Sequence, residues 1–117
     1  MNKHQRAELA AIASILRGKS EDDLANMSMA DREIFVLNLA GVITDIRDMV
    51  DQEQEKFENM PEGLQSGAKG DDITNAIDVL ESVIGELETI EPDYPIEDWG
   101  TETYDLLQTQ ADELEGV

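Results

Sequence analysis

The sequence predicts an all-α protein, an antiparallel helical hairpin with a long central helix and shorter flanking helices in a bundle-like arrangement. Three observations predict it. Apolar residues recur at helical spacing in every long segment. Two neighbouring segments carry heptad seams on either side of a break rich in proline and glycine. No segment shows the period-two alternation of a half-buried strand. The 117 residues suffice for one domain, with a radius of gyration of about 13 Å if compact. Residues 1–117 therefore read as a single acidic helical domain: a basic N-terminal helix at 1–19, a helical hairpin at 29–90, and an aromatic loop with a C-terminal helix at 91–117.

The elements follow in order. Leu9, Ile12, Ala13 and Leu16 mark one face of the first helix. Gly18 stops it, as a glycine suited to the left-handed conformation. Ser20 caps a short helix that reaches Asn26, with Glu21, Asp22 and Asp23 at its positive end. Ser28 caps again, with Asp31 in a capping-box position.

From Met29 to Asn59 no proline interrupts the helical pattern, which predicts a helix of about 45 Å. Its first half is apolar on several sides, through Ile34, Phe35, Val36, Leu37 and Leu39, so other helices are expected to surround it. Its second half narrows to the seam Leu39, Ile43, Ile46, Val50, Glu53, Phe57, Met60, a heptad with one acid in it. Gly41 within this helix reads as a close helix crossing.

Met60-Pro61-Glu62-Gly63 ends the long helix. Gly67 and Gly70 complete a loop, after which Asp71 is expected to cap a helix from Asp72 to Ile90 with the seam Ile73, Ile77, Leu80, Ile84, Leu87. A breaker segment, Glu91-Pro92-Asp93-Tyr94-Pro95, extends to Trp99-Gly100. Thr101 then caps a last helix with Tyr104, Leu107, Ala111 and Leu114 on one face.

Charge is the anomaly. Twenty-eight acids face eight Lys and Arg, a net charge of −20, where about 2–8 units suffice for solubility. Residues 1–19 sum to +3, residues 20–70 to −8, and residues 71–117 to −15 with no Lys, Arg or His. A freestanding basic nucleic-acid binder is excluded. The absence of cysteine excludes disulfides and thiolate chemistry. Part of the charge is expected to cancel internally, with the basic first helix against the acidic body. Lys3, His4 and Arg6 before an apolar stretch loosely mimic a signal peptide, but Glu8 and Arg17 bound that stretch too closely. A cytoplasmic, membrane-free protein is expected.

Catalytic patterns are thin. Gly18-Lys19-Ser20 lacks both the upstream glycine and the preceding strand of a phosphate-binding loop. His4 is the only histidine, which excludes a Glu-x-x-His di-iron site and a nucleophilic triad. The acidic Asp93–Glu102 stretch lacks the order of an EF-hand loop. Acid pairs three residues apart, such as Asp45/Asp48 and Asp78/Glu81, share helix faces and suit Mg²⁺ with phosphates. In this the hairpin resembles all-α nucleotide pyrophosphohydrolases of the MazG type, which also use nearby lysines that this chain lacks after residue 69. About six to seven such pairs are expected by chance at this acid content. No enzyme activity, cofactor or metal is expected.

The stretch Asp51-Gln-Glu-Gln-Glu-Lys-Phe-Glu-Asn-Met-Pro-Glu-Gly-Leu-Gln65, followed by Ser-Gly-Ala-Lys-Gly70 and an acidic helix, resembles a group of small phage and bacterial proteins in which an E-x-F-x-N-(M/L)-P-E-x-L-Q turn joins two helices. The resemblance spans residues 39–90. It implies a helical hairpin and no reaction. In this chain Phe57 and Met60 are expected to close the first seam, Pro61 to stop the helix, and Leu64 to tuck under the hairpin end.

The function expected is a non-enzymatic, acidic protein-binding module of phage or mobile-element type. It would inhibit a basic host DNA-binding or defence protein by imitating nucleic acid, without binding nucleic acid itself. The residues singled out for partner binding are Asp78, Glu81, Glu86, Glu88, Asp93, Glu97, Asp98 and Trp99. Tyr94, Ile96 and Trp99 either fold back over the hairpin core or form an exposed aromatic anchor. Competing readings are a coiled-coil adaptor that binds through apolar seams and the metal-dependent nucleotide hydrolase. The length of the seams points to a homodimer.

Overall fold

The computed structural model describes residues 1–92 and 96–117, the side chains of 96–98 excepted. The described residues form six helices and no strand: α1 (Lys3–Leu16), α2 (Glu21–Ala25), α3 (Met29–Glu58), α4 (Glu62–Gln65), α5 (Ala68–Leu87) and α6 (Ile96–Glu115). The 30 residues of α3 set the length of a rod of 53 × 20 × 18 Å. Its radius of gyration is 16.1 Å, larger than that of a sphere of this chain length, because one helix runs most of the long axis.

Local chemistry starts each early helix. Asn2 accepts from the Gln5 backbone N–H at 2.8 Å and the Gln5 side chain returns the bond. Ser20 and Asp23 form the same reciprocal box at α2, whereas Ser28 accepts from the Asp31 N–H at 3.1 Å with no return bond. Helix α1 ends at Arg17 in ordinary right-handed geometry. No described glycine has a positive φ, so Gly18 does not end α1 through the left-handed conformation.

The hairpin is α3 against α5, the most extensive packing in the molecule, and α6 closes the bundle by lying against α5, α1 and α2. The core holds Leu9, Ile12, Ala13 and Leu16 of α1, the four residues picked by periodicity, with Leu39, Ile46 and Val50 of α3, Leu80, Ile84 and Leu87 of α5, and Leu107, Ala111 and Leu114 of α6. Met49 and Val83 join them outside the expected seams. The reason is geometric: α5 buries itself against both α3 and α6, so its apolar face is wider than a two-helix seam.

Helix α5 begins at Ala68, four residues earlier than the capping signal at Asp71 predicted. Gly70 lies inside it because the chain doubles back tightly: a Cβ there would sit 1.9 Å from the Gln65 carbonyl oxygen. Helix α6 begins at Ile96 rather than Thr101. Gly100 is likewise a contact glycine, where a Cβ would come within 2.7 Å of the Ala25 Cβ on α2. Thr101 is no cap; its hydroxyl donates to the Glu21 carboxylate at 2.8 Å and ties α6 to α2.

Gly41 is the converse. A Cβ there would meet nothing within 4 Å, so none of the described helices crosses at that point. Nor is the first half of α3 surrounded, since Ile34 is 57% and Leu37 72% exposed. Leu64 is exposed rather than tucked under the hairpin, and Phe57 and Met60 are half-buried outside the core cluster. The turn is held by Gln65 instead, whose side-chain amide donates to the carbonyls of Phe57 at 2.9 Å and Met60 at 3.0 Å. Those carbonyls belong to the last turn of α3 and its exit, where the intrahelical ladder runs out; the Phe57 carbonyl also accepts from the Met60 N–H at 3.1 Å.

Candidate interaction surface

Four of the eight expected partner-binding residues fall on one stretch of chain: Asp78, Glu81 and Glu86 lie on α5 and Glu88 is its C-cap, all with exposed side chains. Asp78 stands opposite the buried Leu80, Val83, Ile84 and Leu87, while Glu81 and Glu88 flank that stripe on one side and Glu86 on the other. The period of the helix separates the two sets: residues that anchor α5 in the core force the acids between them outward. Asp78, Glu81 and Glu86 make no ion pair with any described residue, whereas Glu88 pairs with Arg47 on α3.

Trp99 does not belong to this surface. Its relative exposure is 0%, and the Phe35 ring meets it edge-on, with centroids 6.1 Å apart and planes at 83°. The Arg32 guanidinium carbon stands 4.8 Å from the Trp99 ring centroid, a cation–π geometry that brings a buried arginine to terms with an apolar site. The indole thus fastens the start of α6 to the start of α3, so of the two readings of Trp99 the structure takes the inward one. Asp93, Tyr94, and the side chains of Ile96, Glu97 and Asp98 lie outside the described residues.

The acidic body does fold against part of the basic N-terminal segment. Arg17 bridges Asp112 and Glu115 at the end of α6. Its hydrogen bonds to Glu115 first, and to Asp112, raise its pKa above the ordinary arginine value. His4 contacts Glu8 one turn on, at 2.9 Å. Lys3, Arg6 and Lys19 form no ion pair with described residues, so internal pairing neutralises little of the acid.

Two features escaped the sequence reading. Glu53, the acid in the α3 seam, is completely buried. One of its oxygens accepts from the Lys56 ammonium at 2.8 Å, and Lys56 also reaches Gln5, which donates to Gln52 at 3.0 Å. The other Glu53 oxygen has no hydrogen-bond partner among the described residues. The signal was the break in the heptad, but Gln5, which shares the Lys56 ammonium with Glu53, is distant in sequence and carries no mark. The second feature is a cleft between α1 and α3 of about 470 Å³, lined by Ile12, Ile15 and Met49 with Glu8, Asp45 and Asp48.

Among the described residues no group of three or more potential metal-ligating side chains occurs, and no helix is long and apolar enough to cross a membrane. No protein-family model matches the chain, and no curated protein or solved structure shows significant similarity to it.

Proposed function

We propose that this is a non-enzymatic binding protein, of phage or mobile-element type, whose acidic face occupies a basic nucleic-acid-reading site on another protein. One observation carries the reading. From residue 71 onward there are fifteen acids and no base, and the α5 acids Asp71, Asp72, Asp78, Glu81 and Glu86 stand exposed on a rigid helix, none of them ion-paired with a described base. Asp78 and Glu81 are about 4.5 Å apart along the helix axis, comparable with the ~3.4 Å rise per phosphate on one DNA strand. A groove lined by Lys and Arg responds to such a column much as it responds to a phosphate backbone. The surface would repel nucleic acid itself.

The test is a pull-down from bacterial lysate with the full chain, followed by competition between the recovered partner and duplex DNA across a salt series. DNA and this protein should displace one another. The complex should weaken at least about tenfold as salt rises from low to physiological strength. The pair Glu81→Lys and Glu86→Lys should slow association while leaving the helical content unchanged, because exposed helix charges steer encounter and contribute little to folding. Affinity that is flat across the salt series, with no displacement of DNA, rejects the reading.

A further inference from the structure

Charge and apolarity are segregated in this molecule, and the outer face of the neutral part has no cover among the described residues. Residues 1–44 carry five bases and six acids, whereas the rest of the chain carries three bases and twenty-two acids. Residues 34–44 are eleven consecutive positions without a charge, the longest such run in the chain. The outward face of this run presents Ile34, Leu37 and Gly41, with Leu37 the most exposed of the large apolar residues described.

The patch is continuous with α1. One cleft is lined by Ile15, Phe35, Asn38 and Val42, and the next by Lys19, Ile34, Phe35 and Asn38, so the two share a wall. Phe35, Val36 and Leu39 of this run turn toward the core, whereas no described residue encloses Ile34 and Leu37. Gly41 lies on the same face as Ile34 and Leu37 with no atom near its missing side chain, so another backbone can approach closely there.

We infer that this face is a two-fold interface with a second copy of the chain, in which the two α3 helices cross at Gly41 with Ile34 and Leu37 of each copy packed on the other. Charge selects the occupant. A basic partner finds no acid within residues 34–44 and is drawn to α5 instead. Two chains of −20 each repel one another over most of their surfaces and least at this uncharged run. The rim carries both signs, Lys19 with Asp23 and Asp31 around the Ile34 cleft, and a two-fold axis can set the cation of one copy against the acids of the other. The acidic α5 faces would then point away from each other, and each assembly would offer two of them.

The experiment measures mass in solution and cross-links the full chain. Sedimentation equilibrium should give twice the 13.0 kDa chain mass, with association tightening as salt screens the like charges. This is the opposite salt response to that expected of a complex through α5, so the two readings fail separately. Leu37→Glu should raise the dimer dissociation constant by about 30-fold or more, as at a buried interface anchor, with helicity unchanged because the side chain is exposed in the single chain. The protein has no cysteine, so Gly41→Cys should yield a disulfide-linked dimer under mild oxidation. Gly85→Cys, at an equally open position on α5, should not. A 13.0 kDa mass at every protein and salt concentration, equal cross-linking at both positions, cross-linking at neither, or a dimer indifferent to Leu37→Glu would overturn the inference. So would a heterologous protein that binds this face while the chain remains monomeric.

Discussion

Two glycines on one helix should respond to the same substitution with opposite signs. In Gly70→Ala the new Cβ would stand 1.9 Å from the Gln65 carbonyl oxygen, 2.5 Å from its carbon and 2.9 Å from its Cα. All three are backbone atoms, so no side chain can swing aside; α4 must move from α5 by more than an ångström. Overpacking of this kind costs about 1–3 kcal/mol. The displacement also pulls the Gln65 amide off the Phe57 and Met60 carbonyls, two hydrogen bonds at about 0.5–1.5 kcal/mol each. The better helix propensity of alanine returns at most about 1 kcal/mol. The net loss is therefore about 3 kcal/mol, and at about 4 °C per kcal/mol for a chain of this length the midpoint should fall by about 12 °C. Gly85→Ala meets nothing within 4 Å and should gain up to about 1 kcal/mol. Thermal denaturation followed by circular dichroism, checked by urea titration, reads both. A Gly70→Ala protein as stable as the parent, or a Gly85→Ala protein less stable than Gly70→Ala, would refute the close approach at Gln65.

Three further outcomes are expected. Ile46→Ala, at a completely buried position in the hairpin core, should lose about 2–5 kcal/mol in chemical denaturation; a loss under about 0.5 kcal/mol would place that side chain outside the core. Phe57→Ala should cost clearly less than the roughly 3–5 kcal/mol typical of a core phenylalanine, because the ring is only half-buried and stands apart from the main cluster; a full-sized loss in the same titration would contradict that placement. Glu53→Leu should leave stability equal or raised, since it restores the heptad and removes a buried carboxylate, while Lys56→Ala should cost about 1.5–3 kcal/mol by taking away the hydrogen-bond donor that the carboxylate holds; the reverse order of the two variants would argue against the buried pairing.

Much of the architecture was legible because it rests on period and punctuation. The face of α1, the length of α3 and the reversal at Pro61 each follow from residues close in sequence. The glycines show where such reading stops. Gly67, Gly70 and Gly100 looked like breakers and Gly41 like a contact, yet Gly70 and Gly100 sit within helices at close approaches and Gly41 stands open. A glycine offers both freedom of φ and the absence of a Cβ, and only the neighbouring element decides which is used. That neighbour is Gln65 in one case and Ala25, 75 positions away, in the other. Sequence left the two readings of Trp99 open for similar reasons: its neighbours Arg32 and Phe35 lie on a helix distant in sequence. The acids on α5 were legible because exposure there follows directly from the helical period. The apolar face of α3 was read as interior because sequence alone does not count how many helices are left to cover it.

The pairing of the first helix with the last has a consequence for timing. The α3–α5 hairpin closes over a loop of nine residues between Glu58 and Ala68, whereas Arg17 finds its partners 95 and 98 positions later. The entropy of closing a chain grows with the length closed, so the hairpin is the unit that forms by itself, and α1 and α2 wait for α6. During synthesis the two N-terminal helices emerge with their apolar faces unmatched until almost the whole chain has been made. Hydrogen-exchange labelling during refolding should find α3 and α5 protected before α1. The sharply capped start of α1 and the polar outer face of that helix then serve a chain that has to remain soluble while its partner is still to come.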